Sequence, residues 1–538
     1  MSAARSALAE TSKGMLERPP TTTARSHLVL LLVASALATL PVWIPTYPPM
    51  VDLPQHAAQV ALLENLGDPD FRFASLFQVN WFTPYLLGYL LIYSLVPLVG
   101  IVLASKIVIA AALAALPLAT ALVMAETGTD RRWALLSIPV LYGFSYQWGF
   151  LNFLVAAPLG LGFLALAMRH ARHPTAWTYS SLGLLSVVLF FCHAMICGFF
   201  CLVAACYLVF EVRDLRKSLP RIAPMALVLP VMLAWGLRTL ENPVAQRAVS
   251  WDLSWLSTTD GYYREGASWA ESGGWGWGRT AGLLPRLLGV HPGVLPTIVG
   301  VLLFGIPLLA GARPNRRWTV WLPFAACVAT LLFVPGRLFG TDFTFQRFTV
   351  FLLPLFLTGL LGSPSPRWSR RVWACVLLLV GAWIAFVSRQ ATTYAQEAEG
   401  FDEIVRRMAP GERARSLISR WDSRVAIAPT FLHFPAWYSA LRGGVVDPSF
   451  ASTHVELIQY RPESLPRARA LSYEWVPQFF DWKTFEGEKY RYFLSRAPED
   501  IGPFISRSAP CPVRLVHHVN QWWLYERDST CVPTPVSR

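Results

Sequence analysis

The stretch Leu28–Ile44, LVLLLVASALATLPVWI, runs for 17 residues without a charged side chain. At roughly 1.5 Å per helical residue it covers most of a hydrocarbon layer of about 30 Å. Similar apolar segments recur near 84–101, 104–125, 133–148, 150–168, 177–192, 194–210, 222–239, 292–311, 318–335, 346–362 and 372–388. Across the 538 residues, 54% are hydrophobic and only 15% are charged, and the mean hydropathy is +0.41. A soluble protein of this length could not bury that much apolar surface. Residues 390–538 differ, with ordinary charge density and no comparable run. The pattern predicts an α-helical polytopic membrane protein of about 11–13 transmembrane helices, followed by a small C-terminal α/β soluble domain.

The formal net charge is +13. In a soluble chain such a charge suggests a nucleic-acid partner. Here the excess lies in short loops between apolar runs, at Arg131-Arg132, Arg169–His173, Arg213–Lys217, Arg313–Arg317 and Arg367–Arg371. That is the positive-inside distribution, so membrane lipids and not nucleic acid are the expected surroundings. The polar start carries Arg5, Lys13, Arg18 and Arg25 and predicts a cytoplasmic N-terminus. Leu28–Ala38 resembles a signal-peptide core, with Ala36-Leu37-Ala38 as a cleavage site. The many runs that follow favour an uncleaved first helix. The domain reading is a cytoplasmic tail (1–25), a transmembrane domain (26–389) with periplasmic loops 45–83 and 240–291, and a periplasmic C-terminal domain (390–538). The second loop holds Trp251, Trp255, Trp269, Trp275 and Trp277, a composition typical of a membrane interface. Both loops and the C-terminal domain can lie outside only if the number of crossings is odd. Eleven or thirteen spans satisfy this, and the irregularity falls between Pro84 and Glu126, where Pro97, Gly100 and Lys106 interrupt the apolar pattern.

Six of the eight cysteines lie in or beside apolar runs and read as packing residues. Cys511 and Cys531 flank a predicted hairpin, Val513–His517 and Trp522–Arg527, and form a candidate disulfide in an oxidising compartment. The C-terminal domain is further expected to hold a helix, Tyr394–Met408, and strands at Val425–Ile427 and Tyr490–Leu494. Its histidines, His433, His454, His517 and His518, have no metal-ligand spacing and read as structural.

The chemistry-bearing stretch follows the first run: Met50-Val51-Asp52-Leu53-Pro54-Gln55-His56-Ala57-Ala58-Gln59-Val60. A carboxylate just beyond a membrane helix lies where the head group of a lipid-linked substrate would lie. Asp52 can serve as a general base, or it can hold a divalent cation against a phosphate. His56 falls one helical turn further on and points the same way. Asp52 is equally a good helix N-cap, with Pro54 in the first turn and Gln55 at the capping-box position. Asp68 and Asp70 supply further acids, but Asp68-Pro69 also reads as a turn. Arg347 and Arg337 stand near the predicted outer end of a late run, where a guanidinium can bind a lipid phosphate bidentately. His193 interrupts two apolar runs and is either an intramembrane ionisable group or a packed histidine. Gln147 and Asn152 sit at a similar turn, as candidates to line a sugar pocket.

One long loop directly after the first helix, an acid at its start, a helix behind it, many spans and a C-terminal domain resemble the GT-C superfamily of integral-membrane glycosyltransferases. That superfamily includes protein O-mannosyltransferases, the aminoarabinose transferase that modifies lipid A, and oligosaccharyltransferases. The resemblance covers the architecture of the whole chain. Its local motif is Asp52-Leu-Pro-Gln-His56, with Leu53 where the family commonly has a second acid. The resemblance implies a bacterial inner-membrane enzyme that transfers a sugar from a polyprenyl-phosphate donor on the periplasmic face, by inversion. It places Asp52 in the catalytic position with His56 beside it, and Arg347 and Arg337 on the lipid phosphate. A divalent metal, Mg or Mn, would be held by Asp52 with Asp68 or Asp70. A lipid or solute transporter and a non-catalytic membrane subunit are the other readings. A transporter would need charged or broken helices at the bilayer midplane, and few ionisable residues lie inside the runs.

Overall fold

The computed structural model describes residues 21–241, 282–334, 336–338, 341–453, 455–466, 477–507, 509–528 and 530. Among these, six helices are long and apolar enough to cross a membrane: Arg25–Trp43, Ile101–Thr127, Leu151–Arg172, Ala194–Val212, Leu215–Thr239 and Ser369–Arg407. Shorter apolar helices, Leu86–Val99, Ala176–Cys192, Val294–Leu309, Trp318–Phe333 and Gln346–Thr358, pack among them. Most of the 240–291 loop, with its tryptophans, lies outside the described residues.

Two irregularities shape this helical body. Leu86–Val99 and Ile101–Thr127 meet at Gly100, whose φ of +75° suits glycine. The first of them has 14 residues and reaches only about 21 Å, short of a hydrocarbon layer. The stretch 133–148 is not the α-helix expected of a transmembrane segment. It forms 3-10 turns over Arg131–Tyr142 and a single turn of helix, Phe144–Gln147. Trp133 to Tyr142 are all buried, enclosed by the 101–127, 349–358 and 369–397 helices. An apolar run surrounded by protein on every side has the same hydropathy as one surrounded by lipid, so composition alone does not separate them.

The C-terminal part is built on a five-stranded mixed sheet, in the order Val513–Val519, Trp522–Arg527, Tyr492–Arg496, Arg413–Ile418, Val445–Asp447. The first pair is an antiparallel hairpin, as expected. Arg413–Ile418 runs parallel to both of its neighbours. Val425–Ile427, predicted as a strand, is not one. The predicted helix Tyr394–Met408 is two pieces: Ser369–Glu397 continues from the membrane body past residue 390, and Phe401–Arg407 restarts after Gly400 at φ +94°. The domain boundary at 390 therefore falls inside a continuous helix. Cys511 is disulfide-bonded, and Cys531 lies outside the described residues.

The first loop ties the two parts together. Its helix, Leu53–Asn65, is buried from Leu53 to Leu62 on every face. It packs on the 86–99 and 101–127 helices on one side and on residues 434–442 and 450–460 on the other. Strand Phe77–Val79 of the same loop pairs antiparallel with Ile458–Tyr460 of the C-terminal part.

Candidate functional site

A buried helix that carries Gln55, His56 and Gln59 must satisfy each polar side chain within the protein. Gln55 Nε2 donates to Pro448 O at 2.7 Å, and its Oε1 accepts from Phe450 N at 3.1 Å. Gln59 Oε1 accepts from Ile458 N at 2.7 Å. Gln55 is thus not the second half of a capping box. Asp52 at the N-cap position makes no side-chain cap hydrogen bond either. Its carboxylate turns to the C-terminal part, where Oδ1 lies 2.9 Å from His433 Nδ1. The capping reading of Asp52 gives way, and His433 is its partner.

The backbone at Asp52 is held from behind. Val51 N and Asp52 N donate to the carbonyls of Gln147 and Trp148 at 2.9 and 3.0 Å. Close approach is possible because residue 149 is glycine, at φ +75°. A Cβ there would come within 2.9 Å of both Asp52 N and Leu53 N.

Around this turn the structure gathers residues from the whole chain. His56 Nδ1 lies 2.7 Å from Tyr89 Oη, and Tyr89 Oη in turn contacts Glu456. The rings of His56 and His433 both pack edge-on to Phe450, with centroids 5.5 and 5.3 Å away. Arg347 lies across the cluster. Its guanidinium sits 3.6 Å above the Phe150 ring, its Nη2 donates to Asp342 O at 3.0 Å, and it hydrogen-bonds Tyr85. Its charge is felt at Asp52, His56 and Glu456. His193 stacks beside Tyr85 with centroids 5.1 Å apart, and Phe153 meets it edge-on. Both of its ring nitrogens are buried without a hydrogen-bond partner among the described residues.

Burial sets the protonation of this cluster. His56 is pushed down to about 3 by desolvation, then by the neighbouring His433 and Arg347, so its ring is neutral at ordinary pH. A hydrogen bond to the Gly149 backbone acts the other way, which identifies the backbone group as the carbonyl. Glu456 is pushed up to about 8, by burial first and also by the charge of Asp52, against the pull of Tyr89 and Arg347. It holds a proton at neutral pH, and its carboxyl oxygen accepts from Tyr89 Oη. Glu456, Tyr89 and His56 thus form one chain of close polar contacts, neutral throughout. The fixed charges at its edge are Asp52 and Arg347.

The structure brings Asp52, His56, Arg347 and His193 together, and the other candidates are engaged around this cluster or, for Asp68 and Asp70, lie away from it. Gln147 is spent on backbone: it donates to Gly289 O and accepts from Ile427 N (2.9 Å) and Ala428 N (3.3 Å). Asn152 Oδ1 accepts from Gly88 N at 3.1 Å and clamps the 86–99 helix. Both edges of the Gln147 amide are thus taken, whereas Asn152 Nδ2 is buried with no hydrogen-bond partner among the described residues. The backbone of Arg337 pairs with Asp342 in a two-residue ladder. Asp68 and Asp70 are exposed and form a turn, with Asp70 N donating to Asp68 Oδ1 at 2.9 Å. The 13-residue helix 53–65 separates them from Asp52 by roughly 20 Å. Magnesium or manganese requires several oxygen donors around one point. Asp52 and Asp68 or Asp70 do not converge, and no group of three His, Cys, Asp or Glu that could hold a metal ion occurs among the described residues, so the expected ligand set is not assembled.

Sequence reasoning missed Tyr85, Tyr89, His433 and Glu456. Tyr85 and Tyr89 stand four apart directly after Pro84, which puts them on one helix face. Glu456 is a lone acid in Val455-Glu456-Leu457-Ile458, and such an acid must be paired or neutral when buried. No protein-family model matches this chain, and no curated protein matches it.

Proposed function

We propose that the chain is a membrane glycosyltransferase that moves a sugar from a polyprenyl-phosphate-linked donor to an acceptor hydroxyl or amine on the periplasmic face of a bacterial inner membrane. The observation that carries this reading is the Asp52 carboxylate, released from capping and held by His433 within a buried cluster that contains Arg347. GT-C architecture supplies the context: many apolar helices, an acid directly after the first of them, and a C-terminal domain closing over it.

In this mechanism Asp52 takes the proton from the acceptor, and His433 orients the carboxylate through its Nδ1 contact. The acceptor atom attacks the anomeric carbon as the bond from that carbon to the phosphate oxygen breaks. The electron pair leaves with the polyprenyl phosphate, whose charge Arg347 meets with its remaining donors. The neutral chain Glu456–Tyr89–His56 adds no negative charge near the departing phosphate. Phe150 and Phe450 keep water from the guanidinium and the carboxylate, which strengthens both interactions.

The test is donor turnover by the purified protein in detergent, with polyprenyl-phosphate hexoses and release of polyprenyl phosphate as the readout. Asp52→Asn should fold and lose about 10²- to 10⁴-fold in rate, the usual contribution of a positioned base. His433→Gln should lose less, since it removes orientation only. Equal turnover in wild type and Asp52→Asn would remove Asp52 from the chemistry.

A further inference from the structure

A second feature lies outside the cluster. Between the end of the first helix, the break at Gly100 and the helix Trp437–Arg442 there is a groove of about 600 Å³. Its lining includes Trp43, Ile44, Val99, Leu103, Lys106 and Leu441, and none of the residues gathered around Asp52. Lys106 is 8% exposed. Its ammonium donates to Pro45 O at 2.8 Å and to Trp43 O at 3.3 Å, and it lies 5.9 Å from the centre of the Trp43 ring. These partners are neutral. An ammonium has three donors, and a cation in apolar surroundings is costly without a counter-charge.

The backbone favours the same sign of ligand. Ile101–Thr127 is a 27-residue helix that begins at Gly100, on the groove wall. Its first N–H groups and the positive end of its dipole face an anion. No Cβ at position 100 intrudes, and one placed there would meet nothing within 4 Å. The rim is apolar and partly open: Trp43, Ile44, Val99 and Leu103 are exposed large hydrophobics. An indole beside an ammonium above an apolar wall suits a molecule with an anionic head and hydrocarbon tails.

We propose that this groove binds an anionic glycerophospholipid, with a phosphate oxygen on Lys106 and the start of the 101–127 helix and the acyl chains along Val99, Leu103 and Ile44. The lipid is not a reactant, because the groove shares no residue with the Asp52 cluster. It bridges the first helix, the Gly100 break and the C-terminal part. The inference needs the helices to stand in a membrane but not the proposed glycosyl transfer.

Native mass spectrometry of the full chain, released from detergent with equal phosphatidylglycerol and phosphatidylcholine, tests it. Wild type should retain one phosphatidylglycerol at activation energies that strip phosphatidylcholine. Lys106→Met should lose this preference by roughly tenfold, the scale of one charge-assisted hydrogen bond, and Lys106→Arg should restore it. Val102→Trp keeps the ammonium but fills the groove, and it should abolish retention even if Lys106→Met proves unstable. Equal retention of both lipids by wild type, or undiminished phosphatidylglycerol in Val102→Trp, would overturn the proposal. Displacement of the lipid by millimolar inorganic phosphate would overturn it too, by assigning a small-anion site.

Discussion

At the scale of single residues, the site is governed by burial acting on two groups in opposite directions. Glu456 ionises near 4.5 when unfolded and near 8 when folded. Its contribution to stability is therefore complete below pH 4.5 and is lost as pH rises through about 8. His56 moves from 6.5 down to about 3, so its contribution is present above pH 6.5 and is lost as pH falls through about 3. Together they confine greatest stability to mildly acidic pH. Melting of the detergent-solubilised protein, followed from pH 5 to 9, should show a level midpoint up to about pH 6.5, where the two slopes cancel, a fall from there to about pH 8, and a plateau beyond. Glu456→Gln keeps the hydrogen bond to Tyr89 without a titrating proton, and it should flatten that alkaline limb. An unchanged limb in the variant would mean that Glu456 is already ionised at pH 7 and that the neutral chain to His56 is wrong. Asp52 and His56 were legible in the sequence because they stand four apart directly after an apolar run. His433 and Glu456 were not, because their partners lie 381 and 367 positions away and no local pattern records such a contact.

At the scale of elements, the position of Asp52 depends on a turn in another segment. The 144–149 turn offers two carbonyls to Val51 N and Asp52 N, and it fits only because Gly149 adopts φ +75° with no side chain. Gly149→Ala would combine backbone strain of about 1–3 kcal/mol with a Cβ 2.9 Å from two backbone nitrogens. The expected result is a lower melting temperature and a loss of turnover close to that of Asp52→Asn, although residue 149 touches no substrate. Ala57→Gly, inside the buried 53–65 helix, serves as the comparison. It should cost about 1 kcal/mol of stability and leave most of the activity. Equal loss in both variants would show that general destabilisation, not the placement of Asp52, limits the rate. The apolar helices were readable from hydropathy, which could not show that 131–142 forms 3-10 turns. Hydropathy records that a segment avoids water, and Trp133 and Leu135 avoid it by packing against neighbouring helices. The sheet was only partly readable. Its hairpin has alternating residues and a tight turn, whereas the parallel strand Val445–Asp447 has three residues and no signal of its own.

At the scale of the whole molecule, the site exists only because the C-terminal part closes on the first loop, and the question is which contacts hold it closed. Arg72 pairs with Glu412 across this boundary, but the Arg72 side chain is 53% exposed, and an exposed pair contributes at most about 1 kcal/mol. Gln59 is 1% exposed and provides the acceptor for Ile458 N, in the strand that pairs with Phe77–Val79. Its removal strands a buried N–H, at a cost of about 1–3 kcal/mol. Asp447, on the same side, is fixed by Arg413 (3.0 and 2.7 Å), Tyr460 (2.9 Å) and Tyr490 (3.2 Å). The segment from Pro448 to Glu456 is thus pinned at its far end, beside Asp447, by the sheet and Gln55, and at its near end, before Ile458, by Gln59. Release of the near end should free this segment without unfolding the sheet. Gln59→Ala should therefore be cut faster by a Glu-specific protease at Glu456 than wild type and should lose turnover as Glu456 drifts from Tyr89, whereas Arg72→Ala should match wild type in both measurements. Slower or unchanged cleavage in Gln59→Ala would mean that the sheet alone holds the segment, and that closure over Asp52 does not depend on the first loop.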